Sequence, residues 1–178
     1  MAVGLFALLI MGLATLIMNL ILGEFPALAQ ILFGMPYLTV HVIFGVIASL
    51  LALFGTVITM FYFIGTGKSV KEGVQEWELD ERYYEMVLKY KKKYFPTMTL
   101  SLLVYIALPG VGAAVTTDTV SPGLHGLVAY LTVLTHAFIC YQGWHYIFEN
   151  DRLVATVDRL AREKQQQEDA QPDAGGES

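Results

Sequence analysis

Four stretches of the chain, residues 1–23, 25–67, 94–117 and 119–148, contain no Asp, Glu, Lys or Arg. A helix needs about 20 apolar residues to cross about 30 Å of hydrocarbon. The pattern therefore predicts spans near 2–22, 38–66, 97–117 and 124–148, the second longer than a bilayer requires. In chain order they make two hairpins, so the expected fold is all-α: an integral-membrane, four-transmembrane-helix bundle. Between the first two spans, Phe25 to Pro36 is apolar but broken by Gln30, Gly34 and two prolines, which predicts a short segment lying in the interface. Between spans two and three, Val70, Val74 and Trp77 repeat at i, i+4, i+7, and Tyr84, Val87 or Leu88, and Lys91 continue a helical stripe. This predicts a cytoplasmic helical hairpin over 67–95, with a break at Gly65 and Gly67, a cap at Asp80, and Pro96 in the first turn of span three. Leu153 to Leu160 can extend the last span. Residues 163–178 hold almost nothing to bury, so the expected organisation is a membrane domain, 1–162, followed by a disordered tail.

Composition agrees with the pattern. Of 178 residues, 55% are hydrophobic and 15% charged, against roughly 45–50% and 25% in soluble domains, and the mean hydropathy is +0.53. This excludes an ordinary soluble globule. All eleven basic residues fall in two places: Lys68, Lys71, Arg82, Lys89, Lys91, Lys92 and Lys93 between spans two and three, and Arg152, Arg159, Arg162 and Lys164 after span four. Because Lys and Arg beside spans are retained inside, the expected protein is a multi-pass plasma (inner) membrane protein with both termini cytoplasmic. The net charge of −5 changes this little. Ala27-Leu28-Ala29 has the form of a signal-peptide cleavage site, but the segment opens without a basic residue and its apolar core runs too long, so a span is expected. Aromatic residues gather where the basic ends of the spans should meet the headgroups: Phe61 to Phe63, Tyr90 to Phe95 and Tyr141 to Phe148. The Lys89 to Lys93 cluster then reads as topology signal and general attraction to anionic lipid.

Candidate chemistry is sparse. Gly65-Thr66-Gly67-Lys68-Ser69 lacks the first glycine of a phosphate-binding loop, since Tyr62 stands there. The single Cys140 can form no intrachain disulfide. With no carboxylate, Lys or Arg inside the spans, an ion-coupled transporter is disfavoured. The histidines are what remain: His41 near the outer end of span two, His125 near the outer end of span four, His136 at mid-depth and His145 near the cytoplasmic end. An imidazole in hydrocarbon is costly without a partner.

From His41, offsets of +4, +7, +11, +15 and +18 give Gly45, Ala48, Ala52, Thr56 and Thr59; from His125 they give Ala129, Thr132, His136, Cys140 and Gly143. Each set is one helix face of small or polar residues, suited to close packing in lipid. His41 and His125 should enter the same layer of the bundle. The arrangement resembles the plan of membrane b-type cytochromes, in which histidines from two helices hold a haem iron axially. That resemblance implies haem b as cofactor, no other metal, and a role as an electron-transfer or quinone-linked anchor of a redox complex without catalysis of its own. Interfacial, hydrogen-bonded histidines are the plainer alternative. A second reading is a scaffold docking a soluble partner through the cytoplasmic hairpin around Trp77 and Tyr84; a third is a small channel or uncoupled transporter. Expected partners are the bilayer, a membrane or soluble subunit at the cytoplasmic face, and a second copy of the chain as homo-oligomer, but no nucleic acid.

Overall fold

The computed structural model describes residues 1–170 and is all-helical there, with five helices. Helix α1 covers Ala2–Glu24, α2 Pro26–Phe33, α3 Tyr37–Glu76, α4 Arg82–Thr116 and α5 Pro122–Asp169. Four of them, α1, α3, α4 and α5, are long and apolar enough to cross a membrane. At 1.5 Å per residue, the 40 residues of α3 extend about 60 Å and the 48 of α5 about 70 Å. Both therefore run well beyond a bilayer core of about 30 Å.

Three expected boundaries move for one reason. Gly65 and Gly67 do not end α3, Pro96 lies inside α4, and α5 continues to Asp169, so residues 163–169 are helical; residues 171–178 lie outside the described residues. The hairpin over 67–95 is thus built from the unbroken ends of α3 and α4, turning at residues 77–81. What carries the helices through these positions is tertiary burial. Val70 and Val74 of α3, Val87 and Tyr90 of α4, and Leu153 and Val157 of α5 share one buried cluster, so three helices close around the stripe that the sequence shows on two. Lys164 Nζ then donates to the carbonyls of Trp77, at 2.6 Å, and Glu78, at 3.2 Å, tying α5 to the end of α3. Asp80 does not occupy the expected cap position, which Glu81 takes without a side-chain hydrogen bond; from one residue earlier the Asp80 Oδ1 accepts from the Arg82 backbone N–H at 2.9 Å.

Within the apolar zone the four long helices form a ring in the order α1, α3, α4, α5, with α3 and α5 also meeting across the centre. Large apolar side chains such as Leu50, Phe54, Leu103, Ile106 and Leu134 point outward. The interior instead holds Ala48, Ala52, Thr56 and Thr59 of α3 against Thr132, His136, Cys140 and Gly143 of α5. Small residues where α3 and α5 meet, with large apolar ones outside, is the packing expected of a bundle solvated by lipid, and larger side chains such as Phe63, Tyr94, Met98 and Tyr105 fill the rest of the interior. The buried hydroxyls are satisfied locally: Thr56, Thr59 and Thr132 donate to the carbonyls of Ala52, Gly55 and Val128 at 2.7–2.8 Å. Helix α2 caps the end opposite the basic residues. Its Ala29 packs with Leu22 and Val40, and Gly34, at φ +64°, ends it in the left-handed conformation that glycine adopts without strain.

Candidate functional site

His41 lies in the second turn of α3, four residues on from Tyr37, and His125 in the first turn of α5, after a start set by Ser121, whose Oγ accepts from the Leu124 N–H at 3.4 Å, and by Pro122. These two starts bring the rings to the same level at the α2 end of the bundle. The ring centres stand 6.1 Å apart with planes at 88°. Each ring is seated on a glycine of a neighbouring helix. A methyl group on Gly23 of α1 would come 3.2 Å from His41 Cε1, and one on Gly112 of α4 3.1 Å from His125 Cε1. Tyr37 stacks on the other side of His41, with ring centres 5.6 Å apart and planes at 23°.

Both histidines line a cleft of about 520 Å³ between α3 and α4, closed further by Asn19 of α1 and floored by Gly45, Ser49, Leu108, Pro109 and Gly112. Pro109 removes one helical hydrogen bond from α4 at this depth, freeing the carbonyl of Tyr105. The polar atoms of the cleft are unusual. His41 Nδ1, His125 Nδ1, Asn19 Oδ1 and Ser49 Oγ are all buried without a hydrogen-bond partner, and they make up four of the six such side-chain atoms among the described residues. Buried polar groups in lipid-embedded proteins are almost always paired. All four converge on this one cleft.

The ring-centre separation is that of two imidazoles sharing a metal, while the Cε1 edge of each ring lies against a glycine of another helix. At metal–nitrogen distances of about 2.0 Å, two opposed imidazoles place their ring centres roughly 6 Å apart, close to the separation found here. Among the described residues no group of three or more His, Cys, Asp and Glu side chains comes together. Glu24 is engaged elsewhere, its Oε1 accepting from Tyr130 at 3.0 Å, and Asp118 sits in the α4–α5 turn at φ +55°. Among the described residues the cleft thus brings together two imidazoles and no carboxylate or thiol.

The remaining histidines do other work. His136 is fully buried and fully paired: Tyr105 donates its hydroxyl proton to Nδ1 in a short hydrogen bond, and Nε2–H donates to the Leu9 carbonyl at 2.8 Å. These partners fix the tautomer, and Gly12 of α1 makes the room, since a methyl there would meet His136 Nε2 at 3.0 Å and the Ala52 Cα at 3.2 Å. His145 is exposed beside Tyr146. Trp77 and Tyr84 are half-buried at the far end, where Tyr84 packs against the main core and Lys71 Nζ lies 6.0 Å from its ring centre. Asn19 and Ser49 were not singled out in the sequence, although a lone amide in an otherwise apolar first span is the kind of signal that finds such a residue. Compared with protein-family models, curated proteins and solved structures, the chain matches none.

Proposed function

We propose that the protein is a multi-pass membrane subunit holding a b-type haem between His41 and His125 and passing electrons between the membrane quinone pool and a partner subunit. The observation that carries this reading is the pair of glycine-seated imidazoles, 6.1 Å apart, with both Nδ1 atoms buried and unpartnered. Two protein ligands suffice for haem because the macrocycle fills the other four positions of the iron, whereas a zinc site needs three or four ligands from the chain. When bound, the haem supplies one-electron transfer. The chain's own residues do the rest: His41 and His125 ligate, Gly23 and Gly112 let helices approach close enough to hold the ring planes, and Leu38, Val42, Val46 and Leu108 keep the cleft apolar. With the basic residues cytoplasmic, as the positive-inside rule directs, the haem lies toward the outer face of the inner membrane.

The test is a reduced-minus-oxidised visible spectrum and a pyridine haemochrome assay on the full chain, matured with haem available and purified in mild detergent. One b-type haem per chain is expected. A well-folded protein without haem would overturn the reading.

A further inference from the structure

A second site stands at the other end of the bundle, on a face that the haem reading does not use. Lys91, Lys92, Phe95, Pro96, Thr99, Leu100 and Leu103 of α4 line an open groove of about 740 Å³. These positions follow one helical stripe, charged at one end and apolar along the rest. From Lys92 to Leu103 it runs about 16 Å at 1.5 Å per residue, close to the thickness of one leaflet, about half of the 30 Å hydrocarbon core.

At the cationic end Lys92 is exposed and Lys91 is half-buried. The Lys91 side chain reaches across to α3, where Gly67 is buried and leaves a notch: a methyl there would lie 2.8 Å from Lys91 Cε and 3.1 Å from Val87 Cγ1. Burial in this notch holds the Lys91 pKa below its usual value. Four of the chain's cations have carboxylate partners, Lys68 with Glu72, Arg82 with Asp80, Arg152 with Glu149 and Arg159 with Glu163, but among the described residues neither Lys91 nor Lys92 has one. Two ammonium groups without carboxylate partners, one partly desolvated, thus head an open, largely apolar groove about one leaflet long.

We propose that this groove binds one anionic phospholipid, its phosphate between Lys91 and Lys92 and an acyl chain along Phe95, Pro96, Leu100 and Leu103. The occupant is a lipid rather than free phosphate because most of the lining is apolar and continues into the membrane zone.

Native mass spectrometry of the full chain released from detergent, titrated with phosphatidylglycerol, phosphatidylcholine or inorganic phosphate, tests this. The expected result is one retained phosphatidylglycerol per chain, with phosphatidylcholine and phosphate not retained. Lys91→Ala/Lys92→Ala should weaken retention about thirtyfold, at roughly fivefold per lysine near an anionic lipid, while Lys89→Ala/Lys93→Ala, with the same change of charge outside the groove, should bind as the parent does. Leu100→Trp should lose the lipid by filling the groove without altering charge. Equal loss in both lysine pairs would overturn the site in favour of diffuse attraction. Retention of inorganic phosphate to the same extent, or full binding by Leu100→Trp, would overturn the lipid assignment. Haem content is read separately by absorbance, so failure of either proposal leaves the other standing.

Discussion

The middle of the bundle and its α2 end each hold histidine in an apolar setting, and they treat it in opposite ways. At mid-depth, His136 has both nitrogens engaged, one by Tyr105 and one by the Leu9 carbonyl, and the surrounding threonines bond their own helices. Around His41 and His125 four side-chain atoms, His41 Nδ1, His125 Nδ1, Asn19 Oδ1 and Ser49 Oγ, have no partner although the packing is just as deliberate, with a glycine under each ring. Since an unpaired buried polar atom costs about 1–3 kcal/mol, the fold tolerates at one end what it has removed at the other. Hydrogen bonding is available to these helices, as the middle shows. In the cleft four buried side-chain atoms go without it.

The comparison breaks most visibly if the two kinds of histidine can be exchanged. His41→Ala and His125→Ala should each abolish bound haem while leaving a monodisperse helical protein by circular dichroism and gel filtration; retention of a full complement of haem by either would sink the assignment. His136→Ala should do the reverse. It removes two interhelical hydrogen bonds and leaves a cavity, a loss of roughly 2–4 kcal/mol, read as a lower thermal midpoint in detergent with haem content per folded chain unchanged. Tyr105→Phe takes away only the donor to His136 and should cost about 1 kcal/mol, a smaller shift in the same assay. A midpoint as low as that of His136→Ala would mean that the Leu9 contact contributes nothing.

The smallest effect lies outside the bilayer, at the turn between α3 and α4. Hydrogen bonds from Arg82 hold the Asp80 carboxyl below its ordinary range. A carboxylate depressed in the folded state contributes stability above its unfolded pKa and loses it as pH falls through the depressed value. Acid should therefore loosen this turn, and Asp80→Asn should remove that pH dependence, read by hydrogen exchange at residues 82–85. The group is fully exposed, so the global thermal midpoint should barely move.

Much of the molecule was legible along the chain because lipid imposes a simple rule: charge-free runs must become helices that satisfy their own backbone. The four long apolar helices, the short helix at 26–33 and the inward stripes from His41 and His125 all follow from that rule and from 3.6-residue periodicity. The ends of the helices were not legible. Gly65, Gly67 and Pro96 are local stop signals, yet each is overridden because the three-helix extension buries Val70, Val74, Val87, Leu153 and Val157 together. That apolar stripe, legible on two helices, is covered by a third helix of the same chain.

The sequence by itself determined which segments are apolar helices, which face of each is small and polar, and that two histidines stand at equal depth, because these depend on residue order and helical period alone. Only the tertiary structure decided which histidine is paired. Partners for His136 come from residues 31 and 127 positions away, the glycines beneath His41 and His125 lie on other helices, and Asn19 and Ser49 meet those rings only once α1, α3, α4 and α5 close around one cleft. Hydrogen-bond satisfaction is a property of neighbours in space, and no periodicity along the chain encodes it.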